Sequence, residues 1–480
     1  MDPLKGEPVR CAKPIWDEAW VQVCLTLPVA GANLIHRSYS WLSLIAIGHL
    51  GKEILGPVSL SSSVNNLFGT SIVGGLKVGI STLASQAFGA GNDLAVALVL
   101  QRALLVALLG SLPCVLMLAM IKPILLGLHM DEAFATVAGN YAFCVLLVSP
   151  FVGIQRSIGV WLVAQRNNHP WMCVILWVLP LHAIMTVYLT YSTSLTYMGA
   201  GVATTMSTAL QALLIYLYIS CSSTCAGTWR GFSCDAFKDW GPYLEVALPG
   251  VCMNTEYFVG EALTLAAGML PNPDTCLSAL SIYFLTQVTC YQIPGALRIS
   301  ISSRVGNQLG AGRPAEAAIA ARAGLRLILL WITIPALFLL GFTRHWGLLF
   351  TRNDEVLQLL DTLVLPMLFY CSLDAVQAYN NGVLASCGQQ NLSGRWAMRS
   401  YLGVSLPSAF LLASVFHWGV LGLCAGHCLG KVCHVVPCTF ASLRIDWDTE
   451  SKRAIELVEK DCSSMRSLVG QSKGYNQIEI

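Results

Sequence analysis

The sequence predicts an all-α polytopic membrane protein with twelve transmembrane helices in two pseudo-symmetric six-helix lobes. Three observations support this: the composition, a series of long apolar runs and an internal repeat. The 480 residues are 55% hydrophobic and 11% charged, with a mean hydropathy of +0.62, whereas soluble domains carry about 25% charged residues. The lipid bilayer is therefore the expected surrounding. Nucleic acid is not an expected partner, because no basic patch accompanies the net charge of +2.

Each apolar run is about 20 residues long, enough to cross about 30 Å of hydrocarbon. Twelve spans put both termini on one side of the membrane. Lys and Arg are concentrated in the loops of that side, so the positive-inside rule places both termini in the cytosol. We expect the membrane to be the plasma membrane, the vacuolar membrane or another endomembrane. The predicted spans are 20–46, 54–76, 95–120, 134–162, 170–192, 199–220, 243–269, 275–299, 317–343, 356–386, 397–416 and 419–443.

Two longer polar stretches divide the chain. Three cysteines in the first stretch lack a fourth ligand for zinc, so we expect no metal there. The second stretch is the tail, which we expect to be a solvated end that could form a short amphipathic helix. The predicted divisions are a cytosolic N-terminal segment (1–17), a first lobe with spans 1–6 (18–220), a cytosolic inter-lobe loop (221–240), a second lobe with spans 7–12 (241–445) and a cytosolic tail (446–480).

The two halves of the chain repeat each other. Residues 81–91 (STLASQAFGAG) align with 302–312 (SSRVGNQLGAG), and residues 159–168 (GVWLVAQRNN) align with 382–391 (GVLASCGQQN) at nearly the same offset. A repeat with an even number of spans keeps its orientation, so the axis relating the halves runs along the membrane normal. Such parallel repeats are typical of transporters, whose substrate site lies near the midplane between the halves.

The seventh predicted span contains two acids, Glu256 and Glu261. A carboxylate near the bilayer centre costs roughly 2.5–3.5 kcal/mol on insertion scales, so it usually has a function. Five residues along a helix correspond to about 500°, which leaves the two side chains about 140° apart. They are therefore a poor chelating pair. We expect one to face a cavity and the other a neighbouring helix.

Asp374 in the tenth span is the third acid in mid-membrane. Asp374 and Gln377 are three residues apart on one helix face, as are Gln377 and Asn380. We interpret this polar stripe as cavity lining. All three acids lie in the second half, which is where we expect coupling: a deprotonated carboxylate attracts a cation, and protonation releases it.

Other polar residues also interrupt the spans. Arg37 in the first span must snorkel, pair with an acid or line water. His427, Lys431 and His434 share one face of the last span, but without a carboxylate or cysteine cluster they are a weak metal site, and we expect His427 to be a hydrogen-bonded structural group. The chain has neither a phosphate-binding loop nor a nucleophile elbow. We therefore expect no ATP-driven motor, no enzyme and no cofactor.

Taken together, several motifs resemble those of the multidrug and toxic compound extrusion (MATE) family, in its eukaryotic branch, from about residue 18 to 450. The resemblance implies two six-helix lobes arranged as a V, and antiport of organic cations or other amphipathic metabolites against protons. The motifs are Gly48-His49-Leu50-Gly51, Ser85-Gln86-Ala87-Phe88-Gly89-Ala90, Gln101-Arg102-Ala103, Glu256 and Glu261 with Gly268 and Pro271-Asn272-Pro273, Pro294-Gly295, residues 304–312, Asp354, Asp374, Gly382-Val383, Gly388-Gln389-Gln390 and Asp446-Trp447.

Residue by residue, the resemblance implies that Glu256 is the favoured proton and cation site. Glu261 matches the second glutamate of the same helix, and Asp374 falls where the family places an acid in the tenth span. Asn33 and Asn66 match polar positions that line the first-lobe cavity. We expect the cavity lining to comprise Asn33, Asn66, Tyr257, Gln287, Tyr291, Gln377 and Asn380.

The sequence departs from the family pattern at several positions. Tyr257-Phe258 stands where an aromatic pair, often two Trp, is usual. His36-Arg37 replaces neutral residues, and His434 stands where a Gln is usual. If Arg37 faces inward, its fixed charge would weaken binding of monovalent cations and favour anionic or zwitterionic substrates.

The resulting hypothesis is a monomeric secondary antiporter that works by alternating access. It would export amphipathic organic solutes (organic cations, drugs or secondary metabolites) in exchange for protons, with Glu256 as the key site. Sodium coupling in the same fold is one alternative. A membrane-embedded lipid-modifying enzyme is another. The third is a lipid-linked glycan flippase, which would favour many more cationic residues in the cavity than Arg37 alone.

Overall fold

A computed structural model describes residues 15–229 and 231–458, and these residues form helices and no β-strand. Most of the predicted N-terminal segment (residues 1–14), Arg230 of the inter-lobe loop and the end of the tail (residues 459–480) lie outside the described residues. The division of the chain into five parts therefore stays a prediction.

Ten α-helices make up the first half. A π-helical turn (Asn65–Thr70) joins the second and third of them, and Lys77 separates the third from the fourth. The helices are α1 (Ile15–Gly48), α2 (Lys52–Val64), α3 (Ser71–Leu76), α4 (Val78–Gly89), α5 (Asp93–Ala119), α6 (Ile121–Gly127), α7 (Glu132–Cys144), α8 (Val148–Ala164), α9 (His169–Tyr191) and α10 (Tyr197–Cys221).

The second half begins after a 3₁₀ turn (Cys234–Phe237) in the connecting loop and contains two π-helical turns (Tyr401–Ser405 and Leu411–Val415). A tail helix follows at residues 447–458. The α-helices are α11 (Trp240–Met253), α12 (Thr255–Ala267), α13 (Pro273–Cys290), α14 (Gln292–Gly310), α15 (Pro314–Leu348), α16 (Asp354–Thr362), α17 (Val364–Ser386), α18 (Gln390–Ser400), α19 (Leu406–Phe410) and α20 (Gly419–Leu443).

Nine helical runs in the described ranges are long and apolar enough to cross a membrane. The bent pair α16–α17, with 53° between its helices, brings the number to ten. Two further predicted spans are outside this count. One is α11–α12, which breaks at Asn254, and the other runs from the polar helix α18 through α19. The predicted number of twelve spans is consistent with this helix set and stays a prediction.

The two halves meet through their repeated motifs. Gly89 packs against the backbone of Asn307, and Gly310 packs in the same way against the backbone of Gln86. Gln86 and Asn307 occupy matched positions in the sequence repeat, as do the two glycines. These reciprocal contacts place a pseudo-two-fold axis between α4 and α14. They also explain why glycine is needed at both positions, since a Cβ would meet backbone atoms.

Further polar contacts close the same end of the molecule. Arg304 and Glu18 form a buried bidentate ion pair between the halves, with both N–O distances 2.6 Å. The tail helix also docks here: the Ser451 hydroxyl donates to the Leu309 carbonyl at 3.1 Å, and Ala454 is buried. Its last residues line a small pocket with residues of α4 and α5. The tail helix is thus packed against both halves, unlike the solvated end that we expected.

Large apolar side chains cover the outer surface. Trp177 of α9 and Leu337 of α15 are 79% and 73% exposed. Each half has its own core beneath this surface. Trp161 is fully buried in the first half and Tyr401 in the second. Apolar groups on the outside and packed cores within are the arrangement that a bilayer favours, because lipid tails solvate the exposed side chains.

Candidate functional site

The site begins at the break between α11 and α12. Asn254 ends α11, and its side-chain amide donates to the Ser71 carbonyl of the first half at 2.6 Å. Gly75 and Gly250 let α3 and α11 approach to backbone contact, so a Cβ at either position would clash. The first part of this span is therefore held by the first half of the protein. Glu256 follows the break by two residues.

Glu256, Lys431 and Asp374 form a triad of charged groups. The Lys431 ammonium donates to both carboxylate oxygens of Glu256 at 2.8 Å and to Oδ1 of Asp374 at 2.6 Å. The Lys431 side chain is fully buried, whereas those of Glu256 and Asp374 are 24% and 14% exposed. With all three groups ionised the triad carries one net negative charge. The structure therefore brings together two of the three predicted coupling acids.

Aromatic rings surround this triad. The Tyr370 hydroxyl donates to Glu256, and the Lys431 ammonium lies 4.9 Å from the centre of the Tyr370 ring. His427 stacks on the same ring at 4.6 Å and bonds to the Ser405 hydroxyl at 3.2 Å. The imidazole of His427 is thus a hydrogen-bonded packing group, in the structural role expected of it. The ring of Tyr370 and its hydroxyl together fix the positions of the two charges.

Glu261 is placed apart from the triad. It is exposed on the face of α12 that also carries Tyr257, which is 45% exposed, and Leu265, which is 77% exposed. Glu256 points to α17 and α20, so the two glutamates lie on different faces of α12. A direct role for Glu261 with Asp374 has no contact to support it among the described residues.

The polar stripe on α17 is packed between helices. Gln377 is buried, and its amide bonds to Asn381 at 2.8 Å and to His434 at 3.3 Å. The Asn380 amide is fully buried and donates to the Thr439 hydroxyl at 2.8 Å. Only Asp374 of the stripe reaches the triad. Gln377 and Asn380 therefore join α17 to α20, where we had expected them to line a cavity.

The remaining predicted lining residues lie in α1, in the π-helical turn, in α13 and at the residue that joins α13 to α14. Asn33 is half-buried in α1, and Asn66 is exposed in the π-helical turn. Gln287 of α13 is buried, with its amide nitrogen unpaired. Tyr291 is half-buried and packs against Gly295. The predicted role of these four residues in lining a cavity therefore stays a prediction.

A cluster of basic side chains lies near the triad. Arg156 of α8 is within electrostatic range of Arg37, of Lys77 and of Tyr257. Lys77 is in turn within range of Arg298. Tyr257 is within electrostatic range of both groups: of Arg37 and Arg156 in the cluster and of Glu256 and Asp374 in the triad. Arg37 is therefore one of several basic residues in this region.

Two features of this region were not predicted, although the sequence carries a signal for each. They are the pairing of Lys431 with the acids and the matched cations Lys77 and Arg298. Lys431 lies in the middle of an apolar run, as Glu256 does, and by the same insertion argument required a partner. Lys77 and Arg298 occupy matched positions in the repeat. Pairing mid-span cations with mid-span acids, and comparing the halves for charge, would have found both. Within the described ranges, no group of three His, Cys, Asp or Glu residues could hold a metal ion.

Comparison with known proteins identifies the family. The MatE family model matches residues 28–189 and 250–411, one stretch in each half. The chain belongs to the MatE family. Protein DETOXIFICATION 16 of Arabidopsis thaliana is 30% identical over 464 residues, which are 96% of this chain and 94% of that protein. Protein DETOXIFICATION 17 of the same plant is 30% identical over 445 residues, 92% and 93% of the two chains.

A solved structure agrees with this assignment. The crystal structure of the eukaryotic MATE transporter AtDTX14 matches with a TM-score of 0.88 at 26% identity, over 92% of this chain and 99% of that one. The predicted all-α membrane fold and the resemblance to eukaryotic MATE proteins are thus confirmed. This MATE protein is a multi-pass membrane transporter, and no enzyme family is indicated for it.

Proposed function

We propose that this MATE transporter exports amphipathic organic solutes in exchange for protons by alternating access. One observation supports this above all: Glu256 and Asp374 share the single buried ammonium of Lys431. Two carboxylates around one fixed cation leave one negative charge without a partner. Neutralising that charge with a proton removes the cost of keeping it in the membrane interior. A site of this kind can alternate between a protonated and a deprotonated state.

The position of Glu256 suggests how protonation would act on the helices. A protonated Glu256 keeps no ionic attraction for Lys431, which is left to Asp374. It also becomes a poorer acceptor for the Tyr370 hydroxyl. Glu256 lies two residues after the break at Asn254, whose amide binds the first half. A change in the charge of Glu256 therefore occurs next to the residue through which this span is bound to the first half.

The experiment is uptake into proteoliposomes under an imposed pH gradient, with a panel of cationic and anionic fluorescent solutes. We expect gradient-driven uptake by the wild type and its loss in Glu256→Gln, which cannot alternate in charge. Asp361→Asn is the matched control, because Asp361 is an exposed acid on α16 and its removal should leave uptake unchanged. Glu261→Gln in the same assay tests the predicted coupling role of Glu261.

Three outcomes would count against the proposal. Uptake that ignores the pH gradient but follows a sodium gradient would assign coupling to sodium. Equal uptake by the wild type and Glu256→Gln would remove Glu256 from the coupling step. Chemical change of the solute, seen by mass spectrometry of the vesicle contents, would indicate an enzyme.

We further propose that both termini of a monomeric transporter face the cytosol, in the plasma membrane or an endomembrane. The basic residues of the chain favour one set of loops, which supports this orientation. An epitope tag on the C-terminus should then be hidden from antibody added outside intact cells. It should bind the antibody once the plasma membrane is permeabilised. Asn391-Leu392-Ser393 is an N-glycosylation acceptor sequence that this orientation places in the cytosol. Antibody binding in intact cells, or glycosylation of Asn391, would reverse the orientation.

A further inference from the structure

A small pocket lies between the two halves, outside the Glu256–Lys431–Asp374 triad. Its walls include Lys77 and Ser81 of the first half and Arg298 and Ser302 of the second. Each pair occupies matched positions of the sequence repeat, at the offset that aligns residues 81–91 with 302–312. Equivalent residues of the two halves face one pocket only if it lies on the pseudo-two-fold axis. Lys77 and Arg298 therefore oppose each other across that axis.

The pocket lies near the middle of the membrane, which is the depth expected of a transport site between two repeats. Lys77 precedes Gly89, and Arg298 precedes Gly310, by the same number of residues along their helices. At 1.5 Å per residue each cation is about 18 Å from the closed end of the molecule. The hydrocarbon core of a bilayer is about 30 Å thick. The two charges thus lie near the membrane midplane, at the interface between the repeats.

No acidic side chain pairs with these cations among the described residues. Arg37, Lys77, Arg156 and Arg298 are half-buried and take part in no ion pair, in contrast to Lys431. Nε of Arg298 and Oγ of Ser302 are buried without a hydrogen-bond partner. Four like charges at this depth repel each other and are costly in an apolar surrounding. Such an arrangement is stabilised by an anion, which carries acceptor oxygens for the unpaired donors.

The acids of the second lobe offer little to an organic cation. Both carboxylate oxygens of Glu256 and one of Asp374 already bind the ammonium of Lys431. A substrate cation would have to displace a covalently tethered cation that is fully buried. Tyr257 is within electrostatic range of both acids and of Arg37 and Arg156, and Tyr291 is within range of Asp374 and Arg298. Their rings offer apolar surface in the region that holds the acids and the basic cluster.

We infer that the cavity takes an amphipathic organic anion, whose carboxylate or sulfate group binds between Lys77 and Arg298. This inference rests on the proposed transport function and specifies its substrate class. The Arg298 guanidinium donates to two oxygens of such a group, Lys77 supplies a point charge, and Arg37 and Arg156 add to the attraction. The apolar part of the anion lies against Tyr257 and Tyr291.

The test is equilibrium binding to the purified full-length protein in vesicles of neutral phosphatidylcholine, without any ion gradient. The probes are 4-methylumbelliferyl glucuronide and 4-methylumbelliferyl glucoside, which differ in the carboxylate and otherwise match closely. We expect the glucuronide to bind at least about tenfold more tightly, since each charge-assisted contact contributes on the order of a factor of ten. High salt should weaken glucuronide binding alone.

Variants of the paired cations make the test specific. Lys77→Gln and Arg298→Gln should each weaken glucuronide binding about tenfold and leave glucoside binding unchanged, and the double variant should bind the two probes equally. Arg298→Lys should retain most of the preference. Arg322→Gln is the control, because Arg322 is an exposed arginine on α15. Without probe, the double variant should melt at or above the wild-type temperature, because repulsion has been removed.

Equal binding of the two probes by the wild type would overturn the inference. So would a double variant that melts at a lower temperature, which would mean that the cations serve the fold. Loss of glucuronide binding when phosphatidylglycerol is added to the vesicles would assign the pocket to a lipid headgroup instead. Selective glucuronide binding without pH-driven uptake would leave the inference standing and count against proton coupling alone.

Discussion

Replacing Lys431 with Met tests whether its ammonium holds the second lobe together. The substitution keeps the length of the side chain but leaves Glu256 and Asp374 facing each other without a counter-ion. Removing one member of a buried ion pair costs about 3–5 kcal/mol, because the remaining charge stays buried without compensation. Unfolding entropy of ~2.1 cal/mol/K per residue gives about 1 kcal/mol/K for this chain. We therefore expect Lys431→Met to lower the melting temperature by about 3–5 °C.

A dye that fluoresces on reaction with thiols is a suitable reporter of this melting. Cys371, Cys424 and Cys438 are buried in the same lobe and are free thiols, so they become reactive when the lobe opens. The triple variant Lys431→Met, Glu256→Gln, Asp374→Asn has no charge left to compensate. It should regain most of the lost melting temperature, since neutral side chains of similar size replace a buried ionic group at little cost.

Lys452→Met is the matched control, because Lys452 is an exposed lysine on the tail helix, outside the triad. Its melting temperature should stay within about 1 °C of the wild type, as for most surface substitutions. If Lys431→Met melts like this control, the triad contributes nothing to stability. If the triple variant melts no higher than Lys431→Met, charge compensation is not the reason for the loss.

Two further predictions concern the closed end and the tail. Gly310→Ala should destabilise the protein by about 1–3 kcal/mol, because the new methyl group meets backbone atoms of the other half. Gly127→Ala, with open space around the position, should have no such cost in the same melting assay. At the start of the tail helix, hydrogen bonds from the Thr449 hydroxyl and backbone lower the pKa of Asp446. The ionised carboxylate is therefore favoured when the helix is formed, and its contribution is present above the ordinary value of about 3.9 and is lost as the pH falls below it. Hydrogen exchange in residues 447–458 should accelerate in this acid range for the wild type. Asp446→Asn should show no such change, and an equal acceleration in both would refute the assignment.

Much of the fold could be predicted from the sequence. The apolar runs predict the helices, since a helix is the structure that pairs every backbone group within lipid. The offset between residues 81–91 and 302–312 predicts two related lobes, and the reciprocal contacts of Gly89 and Gly310 show that relation in space. The break at Asn254 was not predicted. The Asn254 amide binds the Ser71 carbonyl, which is 183 residues away in the chain, so no local pattern reports this contact.

The site was only partly predictable, for a physical reason. Insertion cost identifies Glu256 and Asp374 as unusual, but it does not say which helix supplies their partner. Lys431 is 175 residues from Glu256 in the chain, so no helical periodicity connects them. The stripe of Gln377 and Asn380 on α17 illustrates the opposite error. Spacing shows that polar groups share a face, whereas burial against α20 decides that this face packs against another helix.

The charge distribution argues that the triad in the second lobe and the basic site between the lobes have different tasks in one cycle. In the second lobe the acids are held by Lys431, so a proton can change the net charge of the triad without a substrate being present. On the axis, Lys77 and Arg298 form no ion pair among the described residues. A basic site suits the anionic substrate that we propose, and a triad whose charge changes on protonation suits the proposed coupling ion. Tyr257 is within electrostatic range of Glu256 and Asp374 in the triad and of Arg37 and Arg156 in the basic cluster. We therefore expect Tyr257→Phe to bind the glucuronide and to take up protons as the wild type does. The effect of pH on glucuronide binding should be weaker in this variant than in the wild type.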